Sequence, residues 1–236
     1  MAAQTFALQQ LAAAPTGQCP EVRRARRYLV ATHASVGGLI DSFNLVHEQK
    51  VVGRTTGQGR LGKDELDLLR AALVFSSSGL DASCHALVSD CVPVLIARKG
   101  TTAAKMFDLF MDEQLRDASA EFKQAVKAVA PRKQLVRLYV EAKTKASYQG
   151  SDDLKDRVKG LLGISNQALP TSRLGKLDAF FIARNDIVHR LDYVDPTSPS
   201  QARNHRSPAD VVRECDRVLS VVADLIGGAA DIIKTK

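Results

Sequence analysis

Tryptophan is absent from this chain, and aromatic residues make up only 5% of its 236 positions. Ala, Leu and Val carry the apolar content instead, which favours helix packed on helix over a β-sandwich. Cysteine is scarce too. Cys19, Cys84, Cys91 and Cys215 form no CxxC pair, and even a Cys84–His85–Cys91 set matches no zinc spacing. Such cysteines read as reduced core thiols of a cytoplasmic protein, with Cys84 and Cys91 on one buried helical face. No apolar run reads as long enough to cross a bilayer, so no membrane partner is expected. Met1–Ala14 has neither the basic start nor the long apolar centre of a signal peptide. There is no internal repeat and no low-complexity tract. No Gly-x-Ser-x-Gly elbow occurs, which argues against a serine hydrolase.

What is present is enough apolar material for a sizeable core, 45% of the chain, and a surplus of positive charge. The 33 Lys and Arg outnumber the 26 Asp and Glu, leaving a net charge of +7. A surplus of that size suits a polyanionic partner. The densest cluster is Arg23-Arg24-Ala25-Arg26-Arg27, which reads either as a phosphate-neutralising patch or as a solvated helix end.

Nearly every long segment has helical periodicity. Helices are expected over Glu21–Glu48, from an Asp64 N-cap to about Ile96 with Pro93 bending or ending it early, and from Thr102 to Ala130 behind the stop-and-cap signal Lys99-Gly100-Thr101-Thr102. Others follow from Pro131 to before Gly150, over Ser151–Leu162, from Arg173 to about Leu191, and from Ala209 to about Ile226, where Gly227-Gly228 interrupts. The expected organisation is a loose arm over residues 1–20 and a single all-α domain over 21–236.

Several motifs have plain readings. Gly57-Gln58-Gly59-Arg60-Leu61-Gly62-Lys63-Asp64 fits seven positions of a phosphate-binding P-loop. It fails at the eighth, where Asp64 replaces the magnesium-holding Ser or Thr, and no strand precedes it. Ser76-Ser77-Ser78-Gly79 reads as a place where a neighbouring helix comes close. Asp81 and His85, at i and i+4, read as a structural pair. The pointed stretch is Arg184-Asn185-Asp186-Ile187-Val188-His189, reached through the apolar run from Leu177 to Ala183. An imidazole moves protons near neutral pH, and a guanidinium holds charge on phosphorus oxygens. Asn185 and His189 share a helical face, whereas Arg184 is offset from His189 by about 140°. Arg190 on the same helix, with Arg203 and Arg206 just downstream, are the candidate substrate-binding cations.

Arg184, Asn185 and His189 resemble the signature of the HEPN superfamily, all-helical domains with Arg-x4–6-His in which a polar residue, often Asn, follows the Arg. Leu68–Ser83 and Ile182–Asp192 are similar to the first core helix and the later signature helix of members of the RiboL-PSP type. The likeness covers roughly Leu66–Ile226. It implies an all-α HEPN-like bundle with additional helices, acting as a metal-independent endoribonuclease without cofactor, often a toxin or antiphage effector. It also implies a homodimer whose two signature helices face each other across a cleft, RNA as substrate, and room for an antitoxin or sensor partner. In that reading His189 is the general base or acid, Arg184 stabilises the charged phosphorane, Asn185 orients imidazole or phosphate, and no metal ligand is needed. Leu191 stands where some such toxins carry a modifiable Tyr, so inhibition by that route is not expected. The rival readings are a non-catalytic HEPN scaffold or nucleotide-binding module, and a helical protein that binds nucleic acid without chemistry.

Overall fold

The structure, a computed structural model, describes residues 4–14, 19–52 and 61–235, and it is all-α. Among the described residues the one β-type pairing is an isolated bridge between Tyr193 and Arg203. A 3-10 turn (Pro20–Val22) leads into α1 (Arg23–Val52). Next come α2 (Lys63–Ile96), α3 (Thr102–Arg116), α4 (Ala120–Val126) and α5 (Pro131–Thr144). Helix α6 (Ser151–Asp153) passes into a π-helix (Leu154–Gly160). Helices α7 (Thr171–Gly175), α8 (Asp178–Arg190) and α9 (Pro208–Lys234) complete the chain.

Helix α2 is the axis of the bundle. Its apolar residues occupy more than one stripe: Leu69, Leu73, Leu80, Leu87 and Leu95 are each at most 2% exposed, and Ala72, Cys84, Val88 and Cys91 are buried beside them. A helix apolar on several faces needs several neighbours, and α1, α5, α8 and α9 all pack on it. Each fully buried leucine contributes about 1.5–3 kcal/mol. Partners at descending register, Arg24 with Asp90 and Lys50 with Asp64, make α1 antiparallel to α2. Cys215 beside Ser76 and Arg98 on the carbonyl of Ile233 make α9 parallel to it. The expectation that no run reaches membrane-spanning length is corrected here: Pro20–Val51 and Lys63–Ile96 are both long and apolar enough by length and composition. In the bundle 56% of the Lys63–Ile96 window and 28% of the Pro20–Val51 window are buried.

The small residues of α2 do bring a neighbour close. A Cβ on Gly79 would stand 1.9 Å from Oγ1 and 2.5 Å from Cβ of Thr32 on α1, and Ser76 and Ser77 are buried. All four cysteines are free and buried, and burial pushes the Cys215 thiol up to about 12. The Asp81–His85 pair is structural. Asp81 accepts the Tyr148 N–H at 2.7 Å, and the His85 ring lies 5.0 Å from that of Tyr148.

Several boundaries differ from expectation. Gly62, not Asp64, caps α2. Glu65 reaches back to the Gly62 N–H at 2.6 Å and is also bonded to His47 and Lys50, while Asp64 pairs with Lys50. Pro93 does not end the helix early, because α2 continues to Ile96. The expected 102–130 helix breaks at Asp117, and the Ser119 hydroxyl caps a new one at the Phe122 N–H. Gly227-Gly228 does not interrupt α9. Gly228 lets Ile164 sit against the helix backbone, where a Cβ would come within 2.9 Å of it. The arm is not loose over residues 4–14. Phe6 exchanges backbone bonds with Asn44, Gln9 donates to Asp216, and Ala12 accepts from Arg26. Residues 57–60 of the P-loop-like stretch lie outside the described residues.

Because Thr32 is β-branched and buried, it has no room to yield to a larger residue at position 79. Gly79→Val is expected to destabilise the fold by about 1–3 kcal/mol through overpacking of α1 on α2, read as a lower urea midpoint with an unchanged m-value. A wild-type midpoint would contradict the close approach.

Candidate functional site

Helix α8 turns Phe180, Phe181 and Ile187 inward. This leaves Ile182, Val188, His189 and Arg190 exposed, with Arg184 and Asn185 half-buried between the two faces. Arg184 lies away from the His189 face in sequence register, but its side chain crosses the gap: Nη1 donates to Asn185 Oδ1 at 2.8 Å. Asn185 and His189 are one turn apart, so the bond draws the guanidinium toward the side of the helix that carries the imidazole. Among the described residues no carboxylate lies within 4.0 Å of Arg184, and its buried Nε has no hydrogen-bond partner. Among the described residues, then, no carboxylate neutralises the charge on that guanidinium. Among the described residues His189 makes no hydrogen bond or ion pair that would orient its ring.

The end of α8 is unusual. Leu191 (φ 50°) and Asp192 (φ 63°) both take the left-handed conformation, which costs a non-glycine residue about 1–3 kcal/mol. The turn gives the Asp186 carbonyl the N–H groups of Leu191 and, at 2.9 Å, of Asp192. What stabilises this turn is the Asp192 side chain, 0% exposed. Its Oδ2 accepts from Arg70 Nε at 2.8 Å and Arg206 Nε at 3.1 Å, while Oδ1 accepts from Asn204 Nδ2 at 3.1 Å and from Arg206 Nη2. Burial pushes this carboxyl up, but the bonds from Arg206, Arg70 and Asn204 outweigh that and hold it below its ordinary 3.8. The Asn204 N–H adds a bond to the Asp192 carbonyl at 2.9 Å. One carboxylate thus ties together α2, the end of α8 and the approach to α9.

The three expected substrate cations have different fates. Arg206 is committed to Asp192 and acts in this frame. Arg203 donates to Asp67 at 3.1 Å and lies over the Tyr193 ring, 5.4 Å from its centroid. It also lines a cavity of about 490 Å³ together with Lys63, Asp67, Arg70 and Tyr193. Arg190 is exposed, with only a 3.9 Å approach to Asp186. The basic cluster at the start of α1 is divided as well. Arg24 makes a two-bond pair with Asp90 at 2.8 and 2.9 Å, Arg26 holds the arm, and Arg23 and Arg27 are exposed.

Asp192, Arg70 and Tyr193 carry this corner, and sequence reasoning gave them no role. A signal was available: Arg70 interrupts the apolar run Leu68-Leu69-Arg70-Ala71-Ala72-Leu73, and a charge inside a core helix requires a buried counter-charge. Exposed aliphatic side chains occur along and just beyond α8, Ile182 at 63%, Val188, Leu191 at 61% and Val194, beside the exposed Arg190. No family model, known protein or solved structure compared with this chain matches it.

Asp192→Asn removes the buried counter-charge of Arg70 and Arg206, leaving Arg70 only the exposed Asp67 at 2.9 Å, and is expected to cost about 3–5 kcal/mol. The wild-type carboxyl is depressed in the folded state. Its stabilising contribution is therefore present above the unfolded value of 3.8 and is lost as pH falls through the lower folded value. Urea unfolding between pH 7 and pH 2.5 should show a loss of stability below about pH 4 in the wild type that is reduced in Asp192→Asn. Identical pH profiles would rule out this role.

Proposed function

We propose that this protein is a HEPN-like endoribonuclease that cleaves RNA without a metal ion, as a homodimer with a composite active site. The observation that carries the reading is the Arg184–Asn185 bond. It draws an uncompensated guanidinium toward the helix face that bears a solvent-accessible imidazole. The apolar side chains flanking His189 support a second copy covering this face, since exposed apolar patches mark interaction sites. A second chain would also supply what one chain lacks, a group to orient the His189 ring.

The chemistry asks little of the protein because RNA carries its own nucleophile. His189 removes the proton of a ribose 2′-hydroxyl, and the 2′-oxygen bonds to phosphorus. The bond from phosphorus to the 5′-oxygen breaks, and an imidazolium, from this copy or the other, returns a proton to that leaving oxygen. Arg184 neutralises the extra charge on the non-bridging oxygens, and the Asn185 amide donates to the phosphate. The products are a 2′,3′-cyclic phosphate and a 5′-hydroxyl. In this reading Arg190 and Arg203 meet the flanking backbone, an electrostatic contact that weakens with salt. A toxin or antiphage role, with an antitoxin or sensor partner, is in keeping with this chemistry. The rival reading is a helical module that binds RNA without cutting it, and the unoriented His189 ring favours it.

Incubation with total RNA in EDTA, followed by mapping of the new ends, separates the two. Cleavage with cyclic-phosphate ends is expected, and Arg184→Ala and His189→Ala should each lower it at least about 100-fold with unchanged circular dichroism. RNA binding without cleavage, or cleavage that survives His189→Ala, would sink the assignment. Ile182→Asp with Leu191→Asp should convert a dimer to a monomer by light scattering and abolish cleavage in parallel. A monomeric wild type that cleaves RNA would refute the composite site.

A further inference from the structure

A second cavity lies far along α2 from the Asp192 frame. It is a groove of about 890 Å³ between the last turns of α2 and the first three turns of α5. Its floor is apolar, made by Pro93 of α2 and by Pro131, Val136 and Val140 of α5. Its rim is cationic, with Arg132, Lys133 and Arg137, and no acidic residue lines it. Among the described residues Arg132 and Lys133 have no carboxylate within 4.0 Å, and Arg137 has only an exposed 3.4 Å contact with Glu141. The charges follow the helix: Arg132 leads the Val136–Val140 stripe at i and i+4, while Lys133 and Arg137 form the stripe beside it.

Two backbone features add polar demand. Helix α5 begins at Pro131 without a side-chain cap, which leaves first-turn N–H groups for an acceptor. Pro93 has no N–H to give the carbonyl of Ser89, which also lines the groove. The exposed Val129, beside the mouth of the groove, extends the apolar surface.

We infer that this groove docks an acidic amphipathic helix of a partner protein. Residues 130–140 span about 15 Å along α5, room for anchors at i, i+4 and i+7 of a laid-in helix. The anchors cover the apolar floor, while flanking Asp and Glu meet the three rim cations and the uncapped start of α5. Charge complementarity selects this occupant, because a basic or neutral helix would leave those cations without counter-charge beside an apolar floor. The inference does not depend on the nuclease reading, since none of these residues belongs to that site.

The test is selection of a phage-displayed library of helical peptides on the full chain, with counter-selection on Arg132→Glu/Lys133→Glu/Arg137→Glu. The expected winners carry net negative charge and apolar residues at i, i+4 and i+7. By fluorescence polarisation they should lose at least tenfold in affinity on that variant and on Val136→Asp, with unchanged circular dichroism. Should the triple reversal disturb folding, the Gln triple variant serves in its place, with a smaller loss expected. Winners without an acidic bias, winners indifferent to both groove variants, or no winners at all would overturn the proposal. So would a single-stranded RNA oligonucleotide whose binding falls with the triple reversal while peptide binding does not, since the rim would then be a nucleic-acid surface.

Discussion

A buried carboxylate, Asp192, with guanidiniums from two directions is the constraint on which this corner of the fold rests. Arg70 approaches from the core helix and Arg206 from the approach to the last helix, and Asn204 completes the set. Removing these charges from water is costly, and their mutual attraction repays it only because the carboxylate receives several directed bonds at once. The same bonds offset the strain of two consecutive left-handed residues. Helix α8 therefore stops one residue after His189 and turns sharply, which leaves the imidazole at an exposed helix end.

The distribution of charge follows from this. Many cations of the chain serve the fold itself: Arg24 joins α1 to α2, Arg70 and Arg206 hold Asp192, and Arg157 binds backbone carbonyls around Ala146 and stacks on Tyr148. A net charge of +7 is therefore a poor guide to where an anion would bind. Position is more telling. Among the described residues, Arg184 on α8 and Arg132 and Lys133 beside an apolar groove have no carboxylate within 4.0 Å, and these two places have different neighbours. Near Arg184 stand an amide, an imidazole and exposed aliphatic side chains. Near Arg132 and Lys133 lies an apolar channel between two helices.

Helix α2 links both regions. Its N-terminal half supplies Arg70 and Asp67 to the frame behind α8, and its C-terminal end supplies Ser89 and Pro93 to the groove. Small residues in its middle let α1 approach to contact distance. The arm over residues 4–14 straps across α1 and α9, so that these two helices are joined by hydrogen bonds as well as by packing.

The amino-acid order by itself determined the helical class, because Ala, Leu and Val recur at helical spacing with few aromatics. It also determined the main punctuation, because Gly100 takes a positive φ and Thr101 and Pro131 do at helix starts what their chemistry requires. The structural Asp81–His85 pair and the close approach at Gly79 were legible for the same reason: each is a local pattern within one or two turns. Only the tertiary structure decided the rest. That Asp192 would be the buried hub, that Arg206 would be tied to it, and that Glu65 would join His47, Lys50 and Gly62 depend on residues 3 to 122 positions apart. Nothing in a linear order says which charges meet. The partner of a buried ion is chosen by the packing of helices in three dimensions, and the cost of leaving one unpaired enforces the choice.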